Sequence, residues 1–142
     1  MPIILGLKGI MIKKILDFFI KKRKSRLGAL SGGDRELVRR EWKEIEELLS
    51  LKTPSGRKDA LIRADRVLDL ALKRISTGET MGERLKNAQK SFSNYAIYDG
   101  LWKAHKMRNA MVHEAGFELP YYSVEKAIER INRGLRDLGV QL

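Results

Sequence analysis

The 142-residue chain has no cysteine, two histidines, three prolines and few aromatic residues, which make up 7% of it. Without cysteine it has no disulfide scaffold, thiolate zinc site, iron–sulfur cluster or cysteine nucleophile. Two histidines do not make a histidine-rich metal site, so a metal centre would need carboxylates. Charged residues are abundant at 33%, and apolar residues make up 43%. This balance favours a soluble helical protein, and the length allows one domain.

The formal charge of +11 is unevenly distributed along the chain. Residues 1–33 carry eight lysines or arginines and one acid, whereas residues 34–142 carry 21 bases and 17 acids. The high isoelectric point is therefore mainly a property of the N-terminal segment. Bulk charge alone does not indicate that residues 34–142 bind nucleic acid.

The segment 1–33 has the pattern of a basic amphipathic helix followed by a glycine-rich linker. Apolar residues dominate positions 3–20, but three lysines and Asp17 interrupt them, and the run KKRKSR follows. A spanning helix needs about 20 nearly uncharged apolar residues, so the pattern disfavours one. Two interpretations stay open. The helix packs on its own domain or on a second copy, or residues 3–26 bind an anionic membrane surface.

A secretory signal is not indicated, because no small-residue cleavage site follows an uncharged apolar core. We therefore expect a cytoplasmic protein, held peripherally at the inner face of the membrane if the N-terminal helix binds lipid. A membrane-surface adaptor that acts through residues 3–26 is accordingly one functional hypothesis.

Residues 34–142 are predicted to form an all-α bundle of four longer helices and one short helix. Period-two alternation long enough for a strand is absent from the sequence, and apolar residues recur with the helical period. The predicted helices cover about 34–51, 57–75, 80–92, 97–114 and 123–138. Residues expected to mark helix ends are Asp34, Pro54, Thr80 with Glu83, Ser123 and Gly139.

The predicted helix over 97–114 carries an arginine on its apolar side. Arg108 falls within the arc of inward residues, which are Ile97, Leu101, Ala104, Met111 and Val112. A buried, unpaired guanidinium is costly, so Arg108 needs a carboxylate, a phosphate or a carbonyl as partner. Asp65 and Asp69 lie beside the apolar stripe of the helix over 57–75. An ion pair with either of them would make the later helix ordinary scaffold.

A polar ridge runs beside that arginine on the same helix. His105, Asn109 and His113 recur at every fourth position, so their side chains lie along one line. Lys103 and Lys106 project further round, toward a basic outer face. Imidazole and amide groups therefore lie next to several cations on this helix.

The sequence from Arg108 to His113, RNAMVH, resembles the motif of the HEPN (higher eukaryotes and prokaryotes nucleotide-binding) superfamily. That motif is an arginine, often followed by Asn, Asp or His, and then a histidine after four to six residues in total. The similarity covers about residues 34–142 and does not extend to the N-terminal helix. It implies a four-helix-bundle domain that commonly dimerises and brings two copies of the motif together in a cleft.

Many HEPN members are metal-independent endoribonucleases, and the resemblance implies roles for three residues. His113 would be the general acid/base for attack of a ribose 2′-hydroxyl on the adjacent phosphate, and Arg108 would stabilise charge on the phosphoryl oxygens. Asn109 would orient the phosphate or His113. The expected products are a 2′,3′-cyclic phosphate and a 5′-hydroxyl, formed without metal or cofactor. RNA or phosphate contacts are predicted at Lys103, His105 and Lys106.

The resemblance also leaves a non-catalytic function open, because HEPN domains include RNA-, nucleotide- and protein-binding members. Some are partners of nucleotidyltransferase-type proteins in toxin–antitoxin pairs. The expected partners are therefore RNA, a second copy of the chain and such an antitoxin. Few aromatic residues are present to stack on bases, and Tyr95, Tyr98 and Trp102 are the nearest candidates.

Overall fold

A computed structural model describes residues 12–16, 29–114, 116 and 118–142. Between residues 29 and 142, the described part of the chain forms four long helices and one short helix, with no strand. The helices are α1 (Gly32–Ser50), α2 (Pro54–Ile75), α3 (Met81–Asn87), α4 (Tyr95–His113) and α5 (Tyr121–Asp137), with a 3₁₀ turn at Gln89–Ser91. The prediction of an all-α helical bundle is confirmed for these residues.

Helix α2 lies at the centre of the bundle. It contacts each of the other four helices, and α4 packs mainly on α5. Aliphatic side chains from all five helices form one core, and its largest fully buried members include Ile45, Leu61, Leu68, Leu72, Leu85, Leu101, Ile131 and Leu135. Because α2 has neighbours on several sides, it also encloses a charged residue, Asp65, which is buried.

Helices α1 and α2 begin earlier than the sequence predicts. Ser31 is the N-cap of α1 in place of Asp34, because its Oγ accepts a hydrogen bond from the Asp34 N–H at 3.0 Å. The Asp34 carboxylate accepts one in return from the Ser31 N–H at 3.3 Å. Helix α1 ends at Ser50, before Pro54, but the expectation that residues 52–56 form a turn is wrong in part, because Pro54 is the first residue of α2 and Thr53 caps it. The fixed φ and missing N–H of proline suit the first helical position.

The N-cap of α3 is the predicted Thr80, whose Oγ1 accepts a hydrogen bond from the Glu83 N–H at 3.1 Å. The Glu83 carboxylate accepts instead from the Glu79 N–H at 2.8 Å, so the predicted capping box is half formed. The helix is also shorter than predicted, since a 3₁₀ turn replaces its last residues.

Helix α5 begins at Tyr121, so the prediction that Ser123 caps it is wrong. Ser123 lies in the first turn, and Pro120 occupies the N-cap position without a side-chain hydrogen bond. The predicted stop at Gly139 is confirmed. Gly139 has a φ of +96°, a left-handed conformation that glycine adopts at little cost.

Residues 12–16 are the described part of the predicted N-terminal amphipathic helix. They are helical, and the side chains of Ile12, Ile15 and Leu16 are exposed. The rest of that prediction, including the basic run, lies outside the described residues. Among the helices that the structure describes, none is both long enough and apolar enough to span a membrane.

Candidate functional site

The predicted motif lies in the C-terminal half of α4. The helix begins at Tyr95, and Asn94 is its N-cap, whose Oδ1 accepts a hydrogen bond from the Ile97 N–H at 3.0 Å. Its inward side is apolar and consists of Ile97, Tyr98, Gly100, Leu101, Ala104 and Met111. Beyond the last turn, Gly116 has a φ of +74°. The helix therefore fixes the motif on a rigid element that packs on α5 and also contacts α2.

Four polar side chains connect α4 to α2 in a closed network. The carboxylate oxygens of Asp65, on α2, lie 3.1 and 3.2 Å from Nδ1 of His105. Nε2 of His105 lies 3.4 Å from Nδ2 of Asn109. Oδ1 of Asn109 accepts a hydrogen bond from Nη1 of Arg108 at 3.0 Å. Arg108 closes the network, with its Nε 3.6 Å from Oδ2 of Asp65.

The hydrogen bonds of this network agree in direction. An ionised carboxylate only accepts, so Nδ1 of His105 carries the proton that it donates to Asp65. Nε2 then accepts from the Asn109 amide nitrogen, while the amide oxygen accepts from Arg108. The His105 tautomer with its proton on Nδ1 therefore satisfies every contact, and Asn109 is held between the ring and the guanidinium.

The network also compensates a buried charge. Asp65 is 3% exposed, and a carboxylate in that position needs hydrogen bonds and an opposite charge. His105 supplies the hydrogen bond, and Arg108 supplies the cation. Removing one partner of such a pair leaves a charge uncompensated, so these residues fix how α4 lies against α2.

Arg108 contacts side chains of its own chain but remains partly exposed to solvent. Of the two candidate carboxylates, Asp65 is its neighbour, whereas Asp69 accepts hydrogen bonds from Nε and Nη2 of Arg84 at 2.8 and 2.9 Å. The Arg108 side chain is 29% exposed. Its buried Nε finds no hydrogen-bond partner among the described residues, so the contact with Asp65 is an ion pair alone.

His113 is the last residue of α4, and its side chain is exposed. It continues the ridge of His105 and Asn109 by one turn, but the described contacts of the network do not include it. It lies five positions after Arg108, a rise of about 7.5 Å along the helix axis. The two motif residues therefore occupy neighbouring turns without a direct contact between them in the described part of the chain.

The two predicted lysine contacts lie on the outer surface of α4. Lys103 pairs with Asp99 at 2.9 Å, one turn earlier, and Nζ of Lys106 lies 5.9 Å from the ring centroid of Trp102. His105 differs from both, because each of its ring nitrogens already contacts a protein group. Of the six predicted site residues, three meet in the network, and they are His105, Arg108 and Asn109.

The contact between Asp65 and His105 is the feature that sequence reasoning missed, since Asp65 is predicted only as a partner for Arg108. A signal for it exists. Asp65 lies beside the apolar stripe of α2, and His105 lies at the border of the apolar arc of α4, one turn before Arg108. One carboxylate facing two basic side chains a turn apart is sufficient to suggest a three-way contact.

Within the described ranges, no three His, Asp or Glu side chains come together as a metal site requires. No known protein family, curated protein or solved structure matches the chain. The resemblance to HEPN domains therefore rests on the motif and its position near the end of a long helix.

Proposed function

We propose that the chain is a metal-independent endoribonuclease that acts as a homodimer through Arg108 and His113. The placement of Arg108 carries the proposal. Asp65 and Asn109 hold its guanidinium on a rigid helix, and 29% of the side chain remains exposed. An exposed imidazole follows on the next turns. Cleavage of a phosphodiester needs a fixed cation and a general acid/base that both reach the same phosphate group.

In the proposed reaction, a His113 imidazole removes the proton from a ribose 2′-hydroxyl, and the 2′-oxygen attacks the adjacent phosphorus. The bond between phosphorus and the 5′-oxygen breaks, and an imidazolium donates a proton to the departing 5′-oxygen. The guanidinium of Arg108 stabilises the charge that develops on the phosphoryl oxygens. The products are a 2′,3′-cyclic phosphate and a 5′-hydroxyl.

The need for an acid and a base supports a second copy in this proposal. The attacking and leaving oxygens lie on opposite sides of the phosphorus, so one imidazole does not reach both at once. One copy exposes His113, whereas both ring nitrogens of His105 are engaged inside the protein. A dimer that apposes two α4 ends supplies a second His113, and Val112, which is exposed beside the motif, offers apolar surface for that contact.

The other predicted residues have supporting roles in this proposal. His105 and Asn109 act as positioning residues for Arg108, since Asn109 accepts a hydrogen bond from its guanidinium and His105 contacts both Asp65 and Asn109. Lys103 and Lys106 bind the RNA backbone from the outer surface of α4. A nucleotidyltransferase-type antitoxin is a further proposed partner on the strength of the resemblance alone.

A non-catalytic RNA- or nucleotide-binding module is the second candidate, and one contact favours it. The Asp65 carboxylate lies 3.6 Å from Nε of Arg108 and offsets part of the positive charge that phosphoryl oxygens would meet. In this case Arg108 contributes to affinity, and His113 is not required.

Incubation with single-stranded RNA in the presence of EDTA tests both candidates. We expect cleavage to 2′,3′-cyclic phosphate ends, and cleavage slower by about 100-fold or more in His113→Ala, because general acid–base catalysis is lost. The melting temperature should not change at this exposed position. Arg108→Ala should also reduce cleavage. Arg133 is an exposed arginine on α5, and Arg133→Ala is the matched control that should leave cleavage unchanged.

Two outcomes would contradict the nuclease. If His113→Ala cleaves RNA as fast as the wild type, His113 is not the catalytic group. If the protein binds RNA without forming cleavage products, the binding module is supported instead. The dimer is tested separately by light scattering. For the wild type we expect the mass of two protomers. For Val112→Glu we expect a monomer that does not cleave RNA. A wild-type monomer that cleaves RNA would contradict the dimeric site.

A further inference from the structure

A recess lies where α3, the 3₁₀ turn and the start of α4 meet, at the opposite end of α4 from the motif. Its volume is about 460 Å³, which lies in the range of small-ligand pockets. Its lining includes Lys86, Lys90, Phe92, Asn94, Tyr95 and Tyr98. We call this recess the α3–α4 groove. No residue of the Asp65 network lines it.

The charge of the α3–α4 groove favours an anionic ligand. Lys86 and Lys90 are both exposed, and none of the described residues that line the groove is an acid. Asn94 caps the end of α4 that borders the groove and so fixes the first turn of this helix. Two lysines on a short helix and a turn therefore face a recess whose described lining contains no carboxylate. Asp137 lies nearby, but its carboxylate accepts hydrogen bonds from the N–H and the hydroxyl of Ser93 at 2.8 and 2.7 Å.

An exposed aromatic ring stands at the edge of the same groove. Tyr95 is 68% exposed, although it is a large aromatic side chain. Its ring centroid lies 6.1 Å from that of Tyr98, which is buried and lies 6.2 Å from the buried ring of Phe92. Tyr98 therefore lies against the exposed ring of Tyr95, and Phe92 lies against Tyr98 in turn, while most of the Tyr95 ring remains exposed to solvent.

We infer that the α3–α4 groove binds a nucleobase and its flanking phosphates in single-stranded RNA. The base stacks on the ring of Tyr95, and Lys86 and Lys90 bind the phosphates. Proteins that bind single strands use this combination of an aromatic platform and a basic groove. The RNA ligand rests on the proposed function, but the groove and its charge do not.

A continuous series of rings links the groove to the motif along α4. The centroids of Tyr98 and Trp102 are 6.4 Å apart, and those of Trp102 and His105 are 6.3 Å apart. Lys106 lies over Trp102. From Tyr95 to Arg108 the helix rises about 20 Å. An RNA strand along this side of α4 would place a base in the groove several nucleotides from the phosphate at Arg108.

The test uses the full chain and a fluorescein-labelled, single-stranded octamer of 2′-O-methyluridine, which has no 2′-hydroxyl to react. Fluorescence anisotropy should show about 10-fold weaker binding for Tyr95→Ala and little change for Tyr95→Phe. Tyr122→Ala is the matched control, because Tyr122 is also 68% exposed but lies on α5. An octamer with abasic units should bind more weakly, and Tyr95→Ala and the wild type should bind it with the same affinity.

The lysines have their own measurement in the same assay. Lys86→Ala and Lys90→Ala should each reduce the salt dependence of binding by about 0.7 in log–log slope, whereas Lys43→Ala, exposed on α1, should leave it unchanged. Equal affinity of Tyr95→Ala and wild type would overturn the inference. Binding of an acidic peptide but not of the octamer would overturn it as well.

The outcomes separate this inference from the nuclease proposal. Cleavage of RNA that does not depend on Tyr95 overturns the groove and leaves the nuclease standing. Binding that depends on Tyr95, in a protein that never cleaves RNA, supports the groove and overturns the nuclease.

Discussion

Asp65 on α2 accepts a hydrogen bond at 3.1 Å from Nδ1 of His105 on α4, 40 residues further along the chain. The two side chains are 4% and 13% exposed, so the contact lies against a core that is mainly apolar. An apolar interface tolerates several rotations of a helix, but a buried carboxylate is satisfied in few of them. This contact therefore sets the rotation of α4 about its axis, and with it the direction in which Arg108 and Asn109 point.

The first prediction follows from that contact. Asp65→Asn should lower the free energy of unfolding by about 2 kcal/mol, because it removes the charge that compensates Arg108 and one acceptor from the network. The figure is below that for a fully buried pair, since Arg108 is partly exposed. Urea denaturation measures it.

Asp59→Asn is the matched control for this substitution, because Asp59 is exposed on the same helix. It should change the free energy of unfolding by less than about 0.5 kcal/mol. If Asp65→Asn behaves like Asp59→Asn, the network does not hold α4 in place.

The order and type of the helices could be predicted from the sequence, whereas several helix ends could not. Apolar residues at helical spacing mark α1, α2, α4 and α5, because each buries one side against the same core. The ends depend on single hydrogen bonds. Ser31 and Asp34 are both good caps, and Pro54 either stops or starts a helix according to the residue before it.

The candidate site was predictable in part. The position of Arg108 on the apolar arc predicts that it needs a partner, and Asp65 is that partner in the ion pair. The position of His105 one turn before Arg108 suggests that it also contacts Asp65, but whether the two side chains meet depends on how α2 and α4 lie against each other, which periodicity does not specify. The α3–α4 groove depends on a 3₁₀ turn where the sequence predicts continued helix, so its lining could not be assembled from spacing alone.

A second prediction concerns the N-terminal segment. The chain should sediment with vesicles that contain anionic lipid, and it should do so less at high salt, because the sequence of residues 3–26 combines apolar residues, of which Ile12, Ile15 and Leu16 are exposed, with a basic run. Deletion of residues 3–26 should leave the protein in the supernatant. Vesicles of neutral lipid are the control, and equal partitioning of the deleted and full-length chains would exclude a membrane-binding segment.

A third prediction concerns the contact of α3 with α2. Arg84 donates two hydrogen bonds to Asp69 and one, at 2.9 Å, to the carbonyl oxygen of Gly78. Arg84→Lys keeps the charge but loses the planar fork, and it should lower the free energy of unfolding by about 1–2 kcal/mol. Arg74→Lys is the control, because Arg74 makes an exposed pair with Asp34. That change should be below about 0.5 kcal/mol.

The effect of Arg84→Lys should not depend on pH near neutrality. The hydrogen bonds to Asp69 raise the pKa of Arg84 above its ordinary value. Since the folded-state pKa is raised, the stabilisation is fully present below the unfolded-state pKa of an arginine and is lost only at higher pH. Denaturation at roughly pH 6 and pH 9 should therefore give the same difference, and a difference that changes between them would contradict this account.

The last prediction compares two glycines at the interface of α4 and α5. A Cβ at Gly134 would lie 2.6 and 2.8 Å from the methyl carbons of Leu101, which is fully buried, so the Leu101 side chain or α5 would have to shift. A Cβ at Gly100 would meet Cγ of Arg130 at 3.5 Å, an ordinary contact. Alanine is favoured over glycine in a helix by about 1 kcal/mol, and overpacking a core costs about 1–3 kcal/mol. Gly100→Ala should therefore stabilise the protein by up to about 1 kcal/mol, whereas Gly134→Ala should destabilise it by about 1 kcal/mol in urea denaturation. If both substitutions stabilise the protein, α5 can move away from Leu101, and the two helices do not fix the position of the motif as closely as their packing indicates.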